Sequence, residues 1–185
     1  MFSGRTHAVA AFFVIGVLFC LAQAKAQTRR SFPGERSTSK SPNGRYVLHN
    51  IDDDKSEPAH QLILEDLSKH TSSKLISYNR SVDVLWSPGG SKLIVNDHGG
   101  SDFTEAYVFI LGESLRKIDL TDELNRKYSG SARIFKNHHV YLEGIGWLGE
   151  KRIKIKVFGY GEADPDGFVK FFEYTLDGGI KRVSS

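Results

Sequence analysis

Short apolar runs of strand length, separated by turn residues, are the feature of this sequence that most restricts its fold. From Arg45 onward these runs are rich in Val, Ile, Tyr and Phe, and Gly, Pro, Asn and Asp are frequent in the turns between them. In RIKIKVF, residues 152–158, apolar and charged side chains alternate, which indicates a strand with one buried face. The pattern predicts an all-β protein built from antiparallel β-meanders.

One stretch has a different character. In TDELNRKY, residues 121–128, Thr121 can cap a helix, acids fill the first turn and basic residues the last. We expect one or two helical turns here, and a polar loop of the same length is the alternative.

A turn and the strand after it occur twice. Ser41-Pro42-Asn43-Gly44 precedes one apolar strand, and Ser87-Pro88-Gly89-Gly90 precedes another, at a spacing typical of repeat architectures. Pro sets the first central dihedral of each turn, so we expect Asn43 and Gly89 to take the positive φ that a type II turn requires.

With Trp86 before it, the second turn reads WSPGG, which resembles the W-S-P-D-G turn of the TolB-type family of β-propeller repeats, with Gly89 in place of Asp. The first copy lacks the aromatic residue, and a third candidate keeps Trp147 and a following strand. The resemblance covers most of residues 41–185. It implies propeller-like sheets, called blades, and a scaffold or interaction role in the periplasm.

Laid on blades of four strands, the second and third units are complete and the first lacks its first strand. Closed propellers usually have about four to eight blades, so this chain cannot close alone. Three arrangements stay open: an open, propeller-like array, pairing with a second copy or another protein, and rearrangement into a β-sandwich or barrel.

The N-terminal segment has the layout of a secretory signal peptide. Residues 1–26 comprise Arg5, an apolar run and an exit rich in alanine, and the run is short for a membrane span. We expect this segment to be cleaved, leaving no stable membrane span; an uncleaved anchor is the alternative. Residues 27–41 are then a flexible leader and residues 42–185 a single β-repeat domain, in a periplasmic or secreted protein.

Composition excludes some partners. Removal of residues 1–26 takes away Arg5, Lys25 and no acid, so the formal net charge falls by two from +3. A chain so close to neutral is not expected to bind nucleic acid or an anionic membrane. The only cysteine, Cys20, is lost as well, so the domain must be held by its core without disulfides.

The loops between the second and third strands of the units are acidic, and on a propeller they would emerge on one face. Such a face would attract a basic partner surface or a cation such as calcium. Exposed acids also keep strand edges from pairing, which is the non-functional interpretation. The candidate ligand-binding residues are Asp52, Asp53, Asp54, Asp97, His98, Asp102, Glu162, Asp164 and Asp166.

These observations predict an exported, non-enzymatic β-repeat protein that binds a protein or small molecule or acts as a scaffold, and a homo-oligomer stays open. No catalytic set, metal-ligand spacing or cofactor motif is recognised. The alternatives are a hydrolase-like enzyme using Asp97 and His98, which would need the missing G-x-S-x-G elbow, and a purely structural envelope component.

Overall fold

The computed structural model describes residues 27–34, 36–53, 55 and 57–184. In this part the chain forms thirteen strands and two short helices. In chain order they are β1 (Arg29–Phe32), β2 (Thr38–Lys40), β3 (Tyr46–Asp52), β4 (His60–Asp66), β5 (Thr71–Tyr78), β6 (Val82–Trp86), β7 (Lys92–Asp97), β8 (Phe103–Ile110), β9 (Arg116–Asp119), α1 (Leu120–Lys127), α2 (Ser131–Ile134), β10 (His139–Trp147), β11 (Arg152–Tyr160), β12 (Phe168–Thr175) and β13 (Ile180–Val183).

Three antiparallel meanders follow one another along the chain. Blade 1 is β2 to β5, blade 2 is β6 to β9 and blade 3 is β10 to β13. Blades 2 and 3 have the strands that the sequence predicts. In addition, the start of β10 pairs in parallel with the start of β8, so blades 2 and 3 belong to one nine-stranded sheet.

The expectation of a flexible leader over residues 27–41 is wrong where this stretch forms strands. β2 pairs with β3 and supplies the first strand that blade 1 lacked in the sequence analysis. β1 pairs with β6 in blade 2, and the Phe32 side chain is fully buried. Both β1 and β2 form backbone hydrogen bonds with a neighbouring strand, and this pairing stabilises them despite their polar composition. The predicted signal peptide, residues 1–26, lies outside the described residues.

Blade 2 is covered on both faces. One apolar core joins blade 1 to the face of blade 2 that carries Val84, Val95 and Phe109. The second core joins blade 3 and the helices to the opposite face, which carries Ile94 and Val108. Double coverage explains why the strands of blade 2 are nearly continuous apolar runs, whereas β11 alternates between buried and exposed positions.

The repeated turns differ in detail from the expectation. Positive φ occurs at Gly44 (73°) and Gly90 (68°), one residue after the positions predicted for it. Gly44 N donates to Ser41 O over 2.9 Å, and Gly90 N donates to Ser87 O over 2.9 Å. Each glycine is therefore the last residue of its turn, where the left-handed conformation returns the chain to the next strand.

A helix forms close to where it is predicted, but a different residue caps it. The Asp119 side chain accepts hydrogen bonds from Thr121 N (2.8 Å) and Asp122 N (3.1 Å) at the start of α1. The Thr121 hydroxyl is instead buried without a hydrogen-bond partner among the described residues. No helix in that part of the chain is both long enough and apolar enough to cross a membrane.

Candidate binding site on the loop face

The three acidic loops lie at one end of the blades, which we call the loop face. The β7–β8 loop touches blade 3, because the Tyr141 hydroxyl donates to Ser101 O over 2.7 Å. It also lies near blade 1, because the charges of Asp52 and Asp97 both raise the pKa of the Tyr78 phenol. Burial is the largest cause of this increase, and the two charges follow. Helices α1 and α2 precede β10 at the same end.

The acids of the first loop form hydrogen bonds with residues close to them in sequence. Asp52 Oδ1 lies 2.7 Å from His60 Nδ1 and 2.6 Å from Asn50 Nδ2. The hydrogen bond from His60 is the main cause that lowers the pKa of Asp52. Asp53 Oδ1 accepts from Lys55 N over 3.1 Å. Asp54 lies outside the described residues.

Asp97 is the least satisfied of the predicted acids. It ends β7 directly opposite Glu105 of β8, and its Oδ1 is buried without a hydrogen-bond partner within the described chain. Burial, followed by the charge of Glu105, raises the pKa of Asp97. Glu105 itself accepts a hydrogen bond from the Tyr107 hydroxyl, and Lys117 Nζ lies 3.6 Å from the centre of the Tyr107 ring.

His98 belongs to a different cluster, which the sequence analysis did not find. Its Nε2 lies 3.1 Å from Asp83 Oδ2, and this hydrogen bond is the main cause that raises the pKa of His98. Arg29 in β1 links Asp83 (3.3 Å) to Glu143 of blade 3 (3.5 Å). The one signal for this cluster was an acid, Asp83, inside the apolar run VDVLW.

The His98 cluster lacks the arrangement of a hydrolase triad. Asp83 accepts from both Ser31 and His98, so the carboxylate lies between the Ser31 hydroxyl and the imidazole. In a hydrolase triad the imidazole is the central group. On its other side His98 Nδ1 is 3.3 Å from the hydroxyl of Thr104, a residue only 6% exposed. Among the described contacts, His98 therefore reaches no exposed nucleophile.

In the third loop, Asp164 has a structural role. Its carboxylate bonds to Asn137 Nδ2 (3.0 Å) and Arg133 (3.2 Å). Asn137 also accepts from the backbone N–H groups of Ala163 and Asp164, which connects the loop to the segment that follows α2. These bonds, with Asn137 first, lower the pKa of Asp164. Glu162 and Asp166 are exposed.

A pocket of about 220 Å³ opens on the loop face between blades 2 and 3. It lies beside β8, between the part of this strand that pairs with β9 and the part that pairs with β10. Its apolar wall includes Val140 and Leu142, and the acids along it are Asp102 and Glu105. The remaining lining residues are Phe103, Thr104, Thr121, Phe135, Asn137 and His138. Of the predicted site residues, Asp102 is the one that lines this pocket.

The acids do not converge on a metal position. Within the described part of the chain, no group of three or more His, Cys, Asp or Glu side chains is placed to hold an ion. Asp52, Asp97 and Asp164 each belong to a separate local network. Calcium binding therefore stays a prediction without a defined ligand set.

The fold is all-β, open and propeller-like, as the sequence predicted, and the sandwich and barrel alternatives are wrong. The chain is similar to the β-propeller domain of the Trilobed protease from Pyrococcus furiosus, which has an open velcro topology (TM-score 0.52, 15% identity, 81% of this chain and 43% of that chain). TolB from Acinetobacter baumannii is a weaker match (TM-score 0.41, 14% identity, 81% of this chain and 32% of that chain).

The chain thus spans less than half the length of either solved structure. No family model matches the sequence, and no curated protein does. At such low identity the likeness concerns the fold alone, so function must be argued from the surface of this chain.

Proposed function

We propose that this protein is an exported, non-enzymatic binding protein that holds a basic partner protein on its loop face. The observation that carries the proposal is the pocket between blades 2 and 3, where an apolar wall adjoins Asp102 and Glu105. Export rests on the signal-peptide pattern of residues 1–26. The open propeller-like array is consistent with a scaffold or binding role.

The pocket suits a basic side chain with an apolar stem. Phe103 lines it and is 43% exposed, although it is a large hydrophobic residue. Aromatic rings attract guanidinium and ammonium groups, and the carboxylate of Asp102 adds opposite charge. Glu105 adds negative charge from the other face of β8, where it accepts from the Tyr107 hydroxyl. An arginine or lysine of a partner would place its stem against Val140 and Leu142 and its charge near these acids.

The surroundings of His98 support a non-enzymatic role. Its two ring nitrogens are engaged by Asp83 and by the buried Thr104.

The test uses the short peptide Ac-Gly-Arg-Gly-Gly-amide and its citrulline analogue, which keeps the shape of arginine and removes its charge. We expect binding of the arginine peptide only, with shifts in the NMR signals of Phe103 and Val140. Replacing Asp102→Asn and Glu105→Gln together should weaken binding about fivefold or more, which is the contribution of one or two charge pairs.

The control is Glu162→Gln with Asp166→Asn, which removes the same charge from the third loop, outside the pocket. Equal binding of the citrulline peptide, or an equal loss in the control, would contradict the proposal. Hydrolysis of an ester panel that disappears in His98→Asn would replace it with the hydrolase alternative.

A further inference from the structure

The outer face of blade 3 is the side of that sheet turned away from blade 2. Ile153, Ile155 and Val157 of β11 point inward to the core, so Lys154, Lys156 and the residues in register with them lie on the outer face. Phe158 lies opposite Tyr141, and Lys156 lies opposite Phe171. The centre of this face, at Lys154 and Lys156, is partly exposed, whereas at its β10 edge Tyr141 contacts Ser101 and Glu143 contacts Arg29.

Aromatic rings and lysines form an ordered set on this surface. Tyr141 and Phe158 stack with ring centres 5.1 Å apart. Lys156 Nζ lies 4.1 Å from the centre of the Phe158 ring, and Lys154 Nζ lies 5.1 Å from that of Phe171. At one end of the face Tyr160 is 49% exposed. A sheet face that meets only water does not require this much aromatic surface.

The charge of the face is uneven. Its two carboxylates are already paired: Glu173 with Arg152 (3.4 Å) and Lys181 (3.2 Å), and Glu143 with Arg29 (3.5 Å). In the described structure Lys154 and Lys156 form no salt bridge within 4.0 Å, and their cationic contacts are with aromatic rings. The centre of the face therefore has positive charge available to a partner.

A second copy of this chain does not fit the face. In a head-to-tail dimer that continued the propeller, the outer face of blade 3 would stack on the outer face of blade 1. That surface carries Lys40 and Lys74, which lie opposite the outward residues Val47 and Ile63. Glu65, the carboxylate in register with Val47, already bonds to His49 over 2.8 Å. Lysines would meet lysines, whereas the blade contacts inside the molecule are formed by apolar cores.

We propose that the outer face of blade 3 binds an acidic protein segment in extended conformation. Its carboxylates would pair with Lys154 and Lys156, and its apolar side chains would pack on Tyr141 and Phe158. Nucleic acid and anionic membranes share the negative charge, but they are bound through broad positive potential, and this chain has a formal charge of only +3 before export. The surface is separate from the pocket on the loop face, so either proposal can fail alone.

The experiment uses the purified protein and a fluorescein-labelled peptide of alternating glutamate and valine, with a lysine–valine peptide of equal length as control. We expect the glutamate peptide alone to raise fluorescence anisotropy, and its affinity to fall with added salt. Reversal of two central charges in Lys154→Glu/Lys156→Glu should weaken binding about tenfold or more. The matched control Lys40→Glu/Lys74→Glu, on the outer face of blade 1, should bind like the unmodified protein.

Melting curves establish that each variant is folded. If the charge reversal unfolds the protein, the milder Lys154→Gln/Lys156→Gln takes its place, with an expected loss of about threefold or more. The proposal is overturned if the glutamate peptide does not bind, or if the control variant loses as much affinity. It is also overturned if oligothymidylate or phosphatidylglycerol vesicles bind equally well through Lys154 and Lys156, or if the protein occupies the face by self-association, seen as a dimer mass that the charge reversal abolishes.

Discussion

The two Ser-Pro turns place glycine in the same backbone conformation but in different surroundings. A Cβ atom on Gly90 would lie 2.8 Å from Asn43 N in the neighbouring turn, whereas the nearest atom to a Cβ on Gly44 is Lys40 Cε at 3.6 Å. Gly44→Ala should therefore cost only the left-handed conformation, about 1 kcal/mol of unfolding free energy. Gly90→Ala must also displace a backbone, so we expect at least about 1 kcal/mol more. Equal costs in urea unfolding would contradict this contact between the turns of blades 1 and 2.

Asp97 should reduce stability at neutral pH. Its pKa is raised in the folded protein, so the penalty is absent below the unfolded value of about 3.9, grows as pH rises from there to the folded value, and is complete above it. Asp97→Asn should therefore raise the free energy of unfolding at pH 7 by about 1 kcal/mol and have little effect at pH 3. Thermal and urea unfolding at the two pH values measure this difference.

Asp52 is the control for this experiment, because its pKa is lowered by His60 and the expected sign is opposite. Asp52→Asn should reduce stability at pH 7, and the reduction should fade as pH falls below the unfolded pKa. A stabilising effect of both substitutions at pH 7 would indicate a general response to surface charge, and would contradict the specific role of burial at Asp97.

The candidate site could be predicted from the sequence only in part. Turn acids on successive repeats predicted the loop face, because a meander brings equivalent loops to one end. Their partners could not be predicted, since Asp164 is held by Asn137 in the segment between α2 and β10, and His98 by Asp83 on a strand. Both contacts join segments distant in sequence, and neither leaves a short motif.

At the scale of secondary structure, the strands that the sequence predicts are those with enough apolar residues to show their buried face. β1 and β2 have too few such residues. β2 pairs with the next strand, β3, whereas β1 pairs with β6, far along the chain. The parallel contact of β10 with β8 is equally non-local. Similarly, the choice of Asp119 over Thr121 as the helix cap depends on where β9 ends.

The strand β1 makes a further prediction testable. Phe32 is 0% exposed in the core between blades 1 and 2, so the segment acts as part of the fold. Phe32→Ala should reduce the free energy of unfolding by about 3 to 5 kcal/mol, as expected for an aromatic residue removed from a packed core. The control is Arg30→Ala in the same strand, for which we expect less than about 0.5 kcal/mol. A small effect of Phe32→Ala in urea unfolding would restore the interpretation of residues 27–41 as a leader.

At the scale of the whole molecule, the central blade is covered on both faces although the blades do not close into a ring. Blades 1 and 3 each shield one face of blade 2, and β1 covers the edge of β6, the first strand of that blade. Gln27, just before β1, also bonds to both backbone groups of Trp147 in blade 3, at 2.7 Å each. The N-terminal segment therefore connects blades 2 and 3 and inserts Phe32 into the core with blade 1.

This arrangement predicts a gradient of stability from blade 2 outward. Amides of β7 and β8 have hydrogen-bonded neighbours on both sides and buried faces, so they should exchange hydrogen only through global unfolding. Amides of β13, an edge strand, should exchange through smaller local openings. Native-state hydrogen exchange at increasing urea concentration measures both: β7 and β8 should share one steep urea dependence that matches global unfolding, while exchange from β13 should be nearly independent of urea at first. Slower exchange in β11 or β12 than in β7 would instead place the most stable unit in blade 3. Coverage of both faces of blade 2 would then not be the main source of stability of the open array.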